Sequence, residues 1–220
     1  MNEIKIGVLS DTHGLLRNEV CEILKGCRTV FHAGDINRQD ILDRLTEIAP
    51  LVAVRGNNDK EWAGHIPYTA EAEIEGLRIC MAHKKKDLPA DLSAYGLVIC
   101  GHTHKYDVRR LPNGILLNPG SCGPRRFHQE ITLAVVRVSG GSVEDIQKIV
   151  IPHQGMQPVI SDKDLRTQIE WVVRDVQLGR SVDEITSARR IDHDLTEQVC
   201  RLYLTHPGVD AEGIMRKMGL

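Results

Sequence analysis

Short apolar runs that end in polar residues recur along the first two thirds of the chain. IKIGVLS (4–10), TVFHAGD (29–35), LVAVRGNND (51–59) and LVICGHTH (97–104) each read as a strand whose carboxyl end turns polar. Between the first three lie stretches of helical spacing. Val20, Ile23, Leu24 and Cys27 mark one face of 18–27, and a second helix is predicted over about 38–48. Further on, the pattern changes to hairpins. EAEIEGLRICMAH (71–83) turns at Glu75-Gly76, and YDVRRLPNGILLNPG (106–120) turns at Pro112-Asn113-Gly114. ITLAVVRV (131–138) and VEDIQKIVI (143–151) form a last strand pair. Early β-α-β units followed by hairpins predict an α/β fold of two packed sheets flanked by helices, over residues 1–153.

The remainder, 154–220, has a different rhythm. QGMQPVIS (154–161) reads as a linker, and Ser161 with Asp164 resembles a capping box. Leu165, Ile169, Val172, Val173 and Val176 then share a helix face that Gly179 ends. Helices are expected over about 182–189 and 195–205, the latter with Leu195, Val199 and Leu202 on one side, before Pro207-Gly208 and a final AEGIMRKM. The sequence therefore predicts a helical C-terminal extension. Its short-helix, tight-connection, longer-helix order over 181–208 is that of a helix-turn-helix. Charge opposes a nucleic-acid role: residues 156–220 carry eleven acids against nine bases, with Arg189-Arg190 a small local basic cluster. Packing on the first unit, or self-association into a homo-oligomer, is the expected use of these helices.

Composition narrows the class without naming a reaction. The 220 residues are 41% hydrophobic and 26% charged with a net charge of −2, ordinary for a globular chain with no global field toward nucleic acid or anionic membrane. Apolar runs fall short of the roughly 20 residues that span a bilayer, and MNEIKIGVLS lacks a signal-peptide pattern. Six scattered cysteines without a CxxC read as reduced thiols, with Cys80 and Cys100 in the core, which favours the cytoplasm.

The strand-end residues carry the chemistry. Asp11, His13, Asp35, Asn57, His83, His102 and His104 each follow a β run, at the edge where open α/β sheets bind ligands. Asp11-x-His13 and His102-x-His104 would each put two side chains on the same side of an extended segment. Imidazole nitrogen and carboxylate oxygen together suit Mn, Fe, Ni or Zn. Seven ligands exceed what one ion takes and suit two ions sharing a carboxylate. Two ions ~3.5–4 Å apart are a device for phosphoryl chemistry, in which a metal-held hydroxide attacks phosphorus and no nucleophilic side chain is needed.

DTH (11–13), GD (34–35), GNND (56–59), His83, GHTH (101–104) and NPGS (118–121) resemble the motifs of the calcineurin-like metallophosphoesterases, most nearly the small bacterial and archaeal phosphodiesterases. The resemblance covers residues 1 to about 151. It implies a β-sandwich flanked by helices and two divalent ions, whether Mn, Ni, Fe, Zn or Mg. Asp11, His13 and His104 would hold the first ion, Asp35 would bridge, and Asn57, His83 and His102 would hold the second. The implied substrate is a phosphate ester, more specifically a phosphodiester such as a nucleotide. GNND begins as turn chemistry, and the turn would aim the Asn57 amide oxygen at a metal.

Two departures stand out. Many relatives have His where this chain has Asn58; Asn has no useful pKa and cannot act as the general acid. Lys84 stands where the family usually has Gly, and is expected to point to solvent. Arg125 and Arg126 would bind the non-reacting part of an ester or remain solvated charge, His32 would orient a ligand or sit in the core, and Asp59 would stiffen the turn. The rival reading is a binding scaffold on the same fold, as in a retromer subunit, with the helical tail as the partner or nucleic-acid contact.

Overall fold

Short apolar runs buried on both faces build the central strands, and clean alternation of burial appears in the edge strand Thr69–Ile74. The computed structural model describes residues 3–124, 129–152, 162–189, 191 and 193–218. They fall into two compact units, the first within residues 1–153 and the second within the helical stretch 162–218. The first runs β1 (Ile4–Leu9), α1 (Asn18–Leu24), β2 (Thr29–His32), α2 (Gln39–Ile48), β3 (Leu51–Ala53), β4 (Thr69–Ile74), β5 (Leu77–Ala82), β6 (Leu97–Ile99), β7 (Tyr106–Arg110), β8 (Ile115–Pro119), β9 (Thr132–Ser139) and β10 (Ser142–Val150).

Ten strands form two five-stranded sheets, ordered β10-β9-β1-β2-β3 and β4-β5-β6-β8-β7. In the first, β1, β2 and β3 are parallel, and β9 runs antiparallel on the other side of β1. In the second, β5, β6 and β8 are parallel, with the hairpin mates β4 and β7 at the edges. Glu75 (φ 49°) and Gly76 (φ 84°) are both left-handed, as a two-residue hairpin turn requires.

The two faces of β1 show the layering. Ile6 and Val8 pack with Phe31, Ile79, Met81, Leu97, Ile99, Leu117 and Val136, which come from both sheets. Leu9 and Val30 face the other way, against Val20 and Leu24 of α1 and Ile41 and Leu45 of α2. A Cβ on Gly7 would lie 2.2 Å from Leu24 Cδ2, so the absence of a side chain there lets α1 close onto the strand. Two predicted elements end early. The α1 helix stops at Leu24 rather than residue 27, and β6 stops at Ile99, leaving the Gly-His-Thr-His run in a loop.

The second unit contains α3 (Asp162–Gln177), α4 (Val182–Arg189), α5 (His193–Thr205) and α6 (Ala211–Met218). Leu165, Ile169, Val172, Ile185, Leu195, Val199 and Ile214 form its core, and Gly179 (φ 77°) follows α3 in the left-handed conformation of a helix stop. Ser161 of the expected capping box lies outside the described residues. A capping box does open α4: Ser181 Oγ accepts the Glu184 N–H at 3.3 Å, and the Glu184 carboxylate accepts the Ser181 N–H at 2.8 Å. Arg189 donates to the buried Asp175 at 2.8 and 3.1 Å and stacks over Trp171. That half of the basic pair is committed within the unit, and Arg190 lies outside the described residues. Among the described residues, no helix is long and apolar enough to cross a membrane.

Candidate metal centre

Left-handed backbone gathers where the liganding residues were expected. Asp11 (φ 55°), His13 (43°), Asp35 (55°), Asn37 (71°), His102 (72°) and His104 (59°) all have positive φ, and the only other non-glycine residue so placed among those described is Glu75 of the hairpin turn. Asp, Asn and His tolerate this region best, yet each such residue costs on the order of 1 kcal/mol. Six together mark loops shaped for something other than stability. They also correct the expected geometry. The two Asp/His-x-His pairs converge through tight left-handed loops, not through alternation along an extended segment.

The carboxylates sit deepest. Asp11 is fully buried, and its Oδ2 accepts from Ser10 Oγ at 2.6 Å and from the His102 backbone N–H at 3.0 Å. This turns Oδ1 toward the histidines, 3.1 Å from His104 Nε2. Burial pushes the Asp11 carboxyl up, but His104 and Ser10 outweigh it, so the net direction is down. Asp35 is 2% exposed, and both its oxygens accept from Asn58: Oδ1 from the backbone N–H and Oδ2 from the side-chain amide, each at 2.8 Å. Burial again opposes charge, and His83, the Asn58 N–H and His13 overcome it, taking Asp35 down to about 2.

Three histidines face these oxygens. His13 Nε2 and His104 Nε2 are 3.2 Å apart. His13 Nε2 also lies 3.7 Å from Asp11 Oδ1 and 3.8 Å from Asp35 Oδ2. His83 Nδ1 is 2.7 Å from the Ala33 carbonyl, which can only accept, so Nδ1 carries the proton and Nε2 turns to Asp35 Oδ1 at 3.5 Å. Burial lowers the His83 pKa, while Asp35 and Asp11 raise it more. The two carboxylates that raise it would favour a bound cation in the same way.

Glycines let the loops approach. A Cβ on Gly56 would stand 2.1 Å from Asp35 Oδ1, and one on Gly101 would stand 2.0 Å from Ser10 Oγ. Behind the ligands, Gly34 N–H donates to His32 Nδ1 at 3.2 Å, so His32 Nε2 holds the proton and donates to Thr12 Oγ1 at 3.0 Å. Thr12 Oγ1 in turn donates to the Ile36 carbonyl. Complete burial takes His32 down to about 4, so it stays neutral and ties the Asp11 loop to the Asp35 loop. Asn118 donates to the Gly101 carbonyl and Thr103 Oγ1, and Ser121 Oγ donates to the Asp11 carbonyl, so the NPGS loop props both neighbours.

The remaining predicted residues are placed less centrally. The His102 ring meets the His83 ring edge-on at 5.2 Å, but the residue is exposed. Burial, His83 and Lys84 lower its pKa. Lys84 is half-buried rather than fully in solvent, and its charge is felt at His102. Asn57 is exposed at the tip of its turn. Arg125 and Arg126 lie outside the described residues. Asp59, expected to stiffen its own turn, also binds across the site: Oδ2 accepts the Gly56 N–H, and Oδ1 accepts the N–H groups of Ile36 and Asn37.

These side chains fit divalent cations. Ligand atoms of Asp11, His13 and His104 all lie within 4.8 Å of one another, as do those of Asp11, Asp35 and His83. Asp11 Oδ1 and His83 Nε2 are buried without a hydrogen-bond partner. Two buried carboxylates side by side require positive charge, and mixed N/O donors suit borderline metals.

The first unit is similar to known proteins in sequence and in fold. Residues 4–141 match the family described as the calcineurin-like phosphoesterase superfamily domain. A probable metallophosphoesterase of Methanothermobacter thermautotrophicus is 31% identical over 154 residues, covering 63% of this chain and 88% of the relative. A solved archaeal phosphodiesterase superposes with a TM-score of 0.55 at 26% identity, covering 67% of this chain and 100% of that one. Vps29 of Chaetomium thermophilum shares the fold at 16% identity, with a TM-score of 0.54 over 67% of this chain and 97% of its own. The chain belongs to the calcineurin-like phosphoesterase superfamily and is a phosphoesterase.

Proposed function

We propose that the first unit holds two divalent cations and hydrolyses phosphodiesters. Asp11, His13 and His104 would hold one ion, Asp35 would bridge, and His83, His102 and Asn57 would hold the other. The observation that carries this reading is the pair of buried carboxylates facing three imidazole Nε2 atoms. When bound, such ions supply Lewis-acid charge and a water acidified for attack at phosphorus. The chain's own part is to hold ligands in strained loops, to exclude solvent behind Asp11 and Asp35, and to set positive charge at Lys84 beside the rim. Likeness to the archaeal phosphodiesterase supports diesters over monoesters, and a nucleotide diester is the class of substrate that follows.

The test is a panel on chelator-stripped protein reloaded with Mn, Ni, Fe, Zn or Mg. Two ions per chain and faster hydrolysis of aryl and nucleotide diesters than of monoesters are expected. Inactivity toward every ester, in protein holding two ions, would overturn the reading and leave a scaffold on this fold.

Leaving-group dependence follows from residue 58. Asn58 has no titratable proton, and its amide is committed to Asp35. General-acid assistance, worth typically about 10²–10⁴ in rate, is then not supplied from this position. Nitrophenyl diesters should therefore outrun phenyl diesters by about 10²-fold or more. Equal rates for the two esters, with chemistry rate-limiting, would show that another group protonates the leaving oxygen.

A further inference from the structure

We propose that Asn58 is a positioning residue that clamps Asp35 through both of its amides. The inference rests on the metal reading of the site but concerns what residue 58 does within it. The backbone N–H of Asn58 reaches Asp35 Oδ1 and its side-chain Nδ2 reaches Asp35 Oδ2, both at 2.8 Å. This is a two-point grip on a planar group, with one donor on each oxygen. It fixes the rotation of the carboxylate as well as its place. Each oxygen keeps a further lone pair, and these face His83 Nε2 at 3.5 Å and His13 Nε2 at 3.8 Å.

The grip matters because Asn58 makes shorter contacts to the Asp35 carboxylate than the His83 and His13 rings do. Its own backbone is left-handed, at φ 55°. Gly56 approaches so closely that an added Cβ would meet Oδ1 at 2.1 Å, which leaves room for the Asn58 N–H and for no bulkier neighbour. The turn that delivers Asn58 is itself anchored, since Asp59 bonds the N–H groups of Gly56, Ile36 and Asn37. The order Gly-Asn-Asn-Asp thus divides its labour. Gly56 permits contact, Asn58 grips the carboxylate and Asp59 locks the turn to the Asp35 loop. Asn here is accordingly a group acting on Asp35, not an idle substitute for a proton donor.

Two readouts on the full chain test this. In metal-free protein, the Asn58 backbone and side-chain amide protons should exchange slowly by NMR although the residue is exposed, and that protection should vanish in Asp35→Ala. In titration calorimetry with Mn²⁺, Asn58→Ala should bind about 10- to 100-fold more weakly than the native chain, the usual cost of removing a group that orients a metal ligand. Asn58→Gln, which keeps the amide on a longer stem, should recover part of that loss. Fast exchange of the side-chain amide, or unchanged Mn²⁺ affinity in Asn58→Ala together with lost kcat, would overturn the proposal and place Asn58 on the substrate. Protected amides in a native chain that binds no Mn²⁺ would sink the metal reading and leave the clamp standing.

Discussion

Asp35→Asn is expected to lower kcat/KM toward aryl diesters by about 10³-fold or more. The shape of the side chain is preserved, its oxygen keeps one of the two Asn58 donors, and its NH2 group faces the other. What disappears is the negative charge. Asp35 lies between His83 and His13, and its carboxyl is held down at about 2, so it is ionised throughout the working range. An amide in its place donates one weak oxygen and cannot bridge. Metal-centred stabilisation of transition-state charge is worth several kcal/mol, and about 4 kcal/mol corresponds to about 10³ in rate. The measurement is kcat/KM at saturating Mn²⁺, with metal content determined on the same sample. Retained activity with two bound ions would remove Asp35 from its proposed bridging place.

Asp59→Ala is expected to destabilise the first unit by about 3 kcal/mol or more. Three backbone N–H groups, those of Gly56, Ile36 and Asn37, donate to this carboxylate at 2.7–2.8 Å, and the residue is 2% exposed. Removal leaves three donors without an acceptor, each costing about 1–3 kcal/mol where water cannot reach it. Alanine also frees two loops to move apart, so weaker metal binding should accompany the loss. The chain contains two tryptophans, Trp62 close to this turn and Trp171 in the second unit, so a single transition cannot be assumed. Urea unfolding followed by Trp62 fluorescence, in a Trp171→Phe background, reads the first unit alone. A midpoint unshifted by Asp59→Ala would mean that the three N–H groups find other partners.

Much of the fold is legible along the chain because its cause is local. Period-two alternation places Ile6 and Val8 on one face of β1 and Leu9 on the other. Glu75-Gly76 and the Pro112-Asn113-Gly114 turn announce their hairpins, and Gly179 announces the end of α3. Strand order is a different matter. Nothing local to β9 says that it pairs with β1, or that β8 lies between β6 and β7. Those pairings join segments far apart in sequence, and burial of whole faces selects them.

The same division runs through the site. By itself the sequence determined which residues could ligate and that each would follow a strand, since donor chemistry and strand ends are properties of short segments. Only the tertiary structure decided how they converge. Asp11, His13, Asp35 and His104 meet through left-handed loops, a conformation that Asp and His tolerate but do not advertise. His32 ties the Asp11 and Asp35 loops, Asp59 reaches across 23 residues to Ile36, and Asn58 grips Asp35 across the same separation. A hydrogen bond depends on position within a few tenths of an ångström. Packing of two sheets brings these groups to that distance, and no pattern within a single segment encodes it.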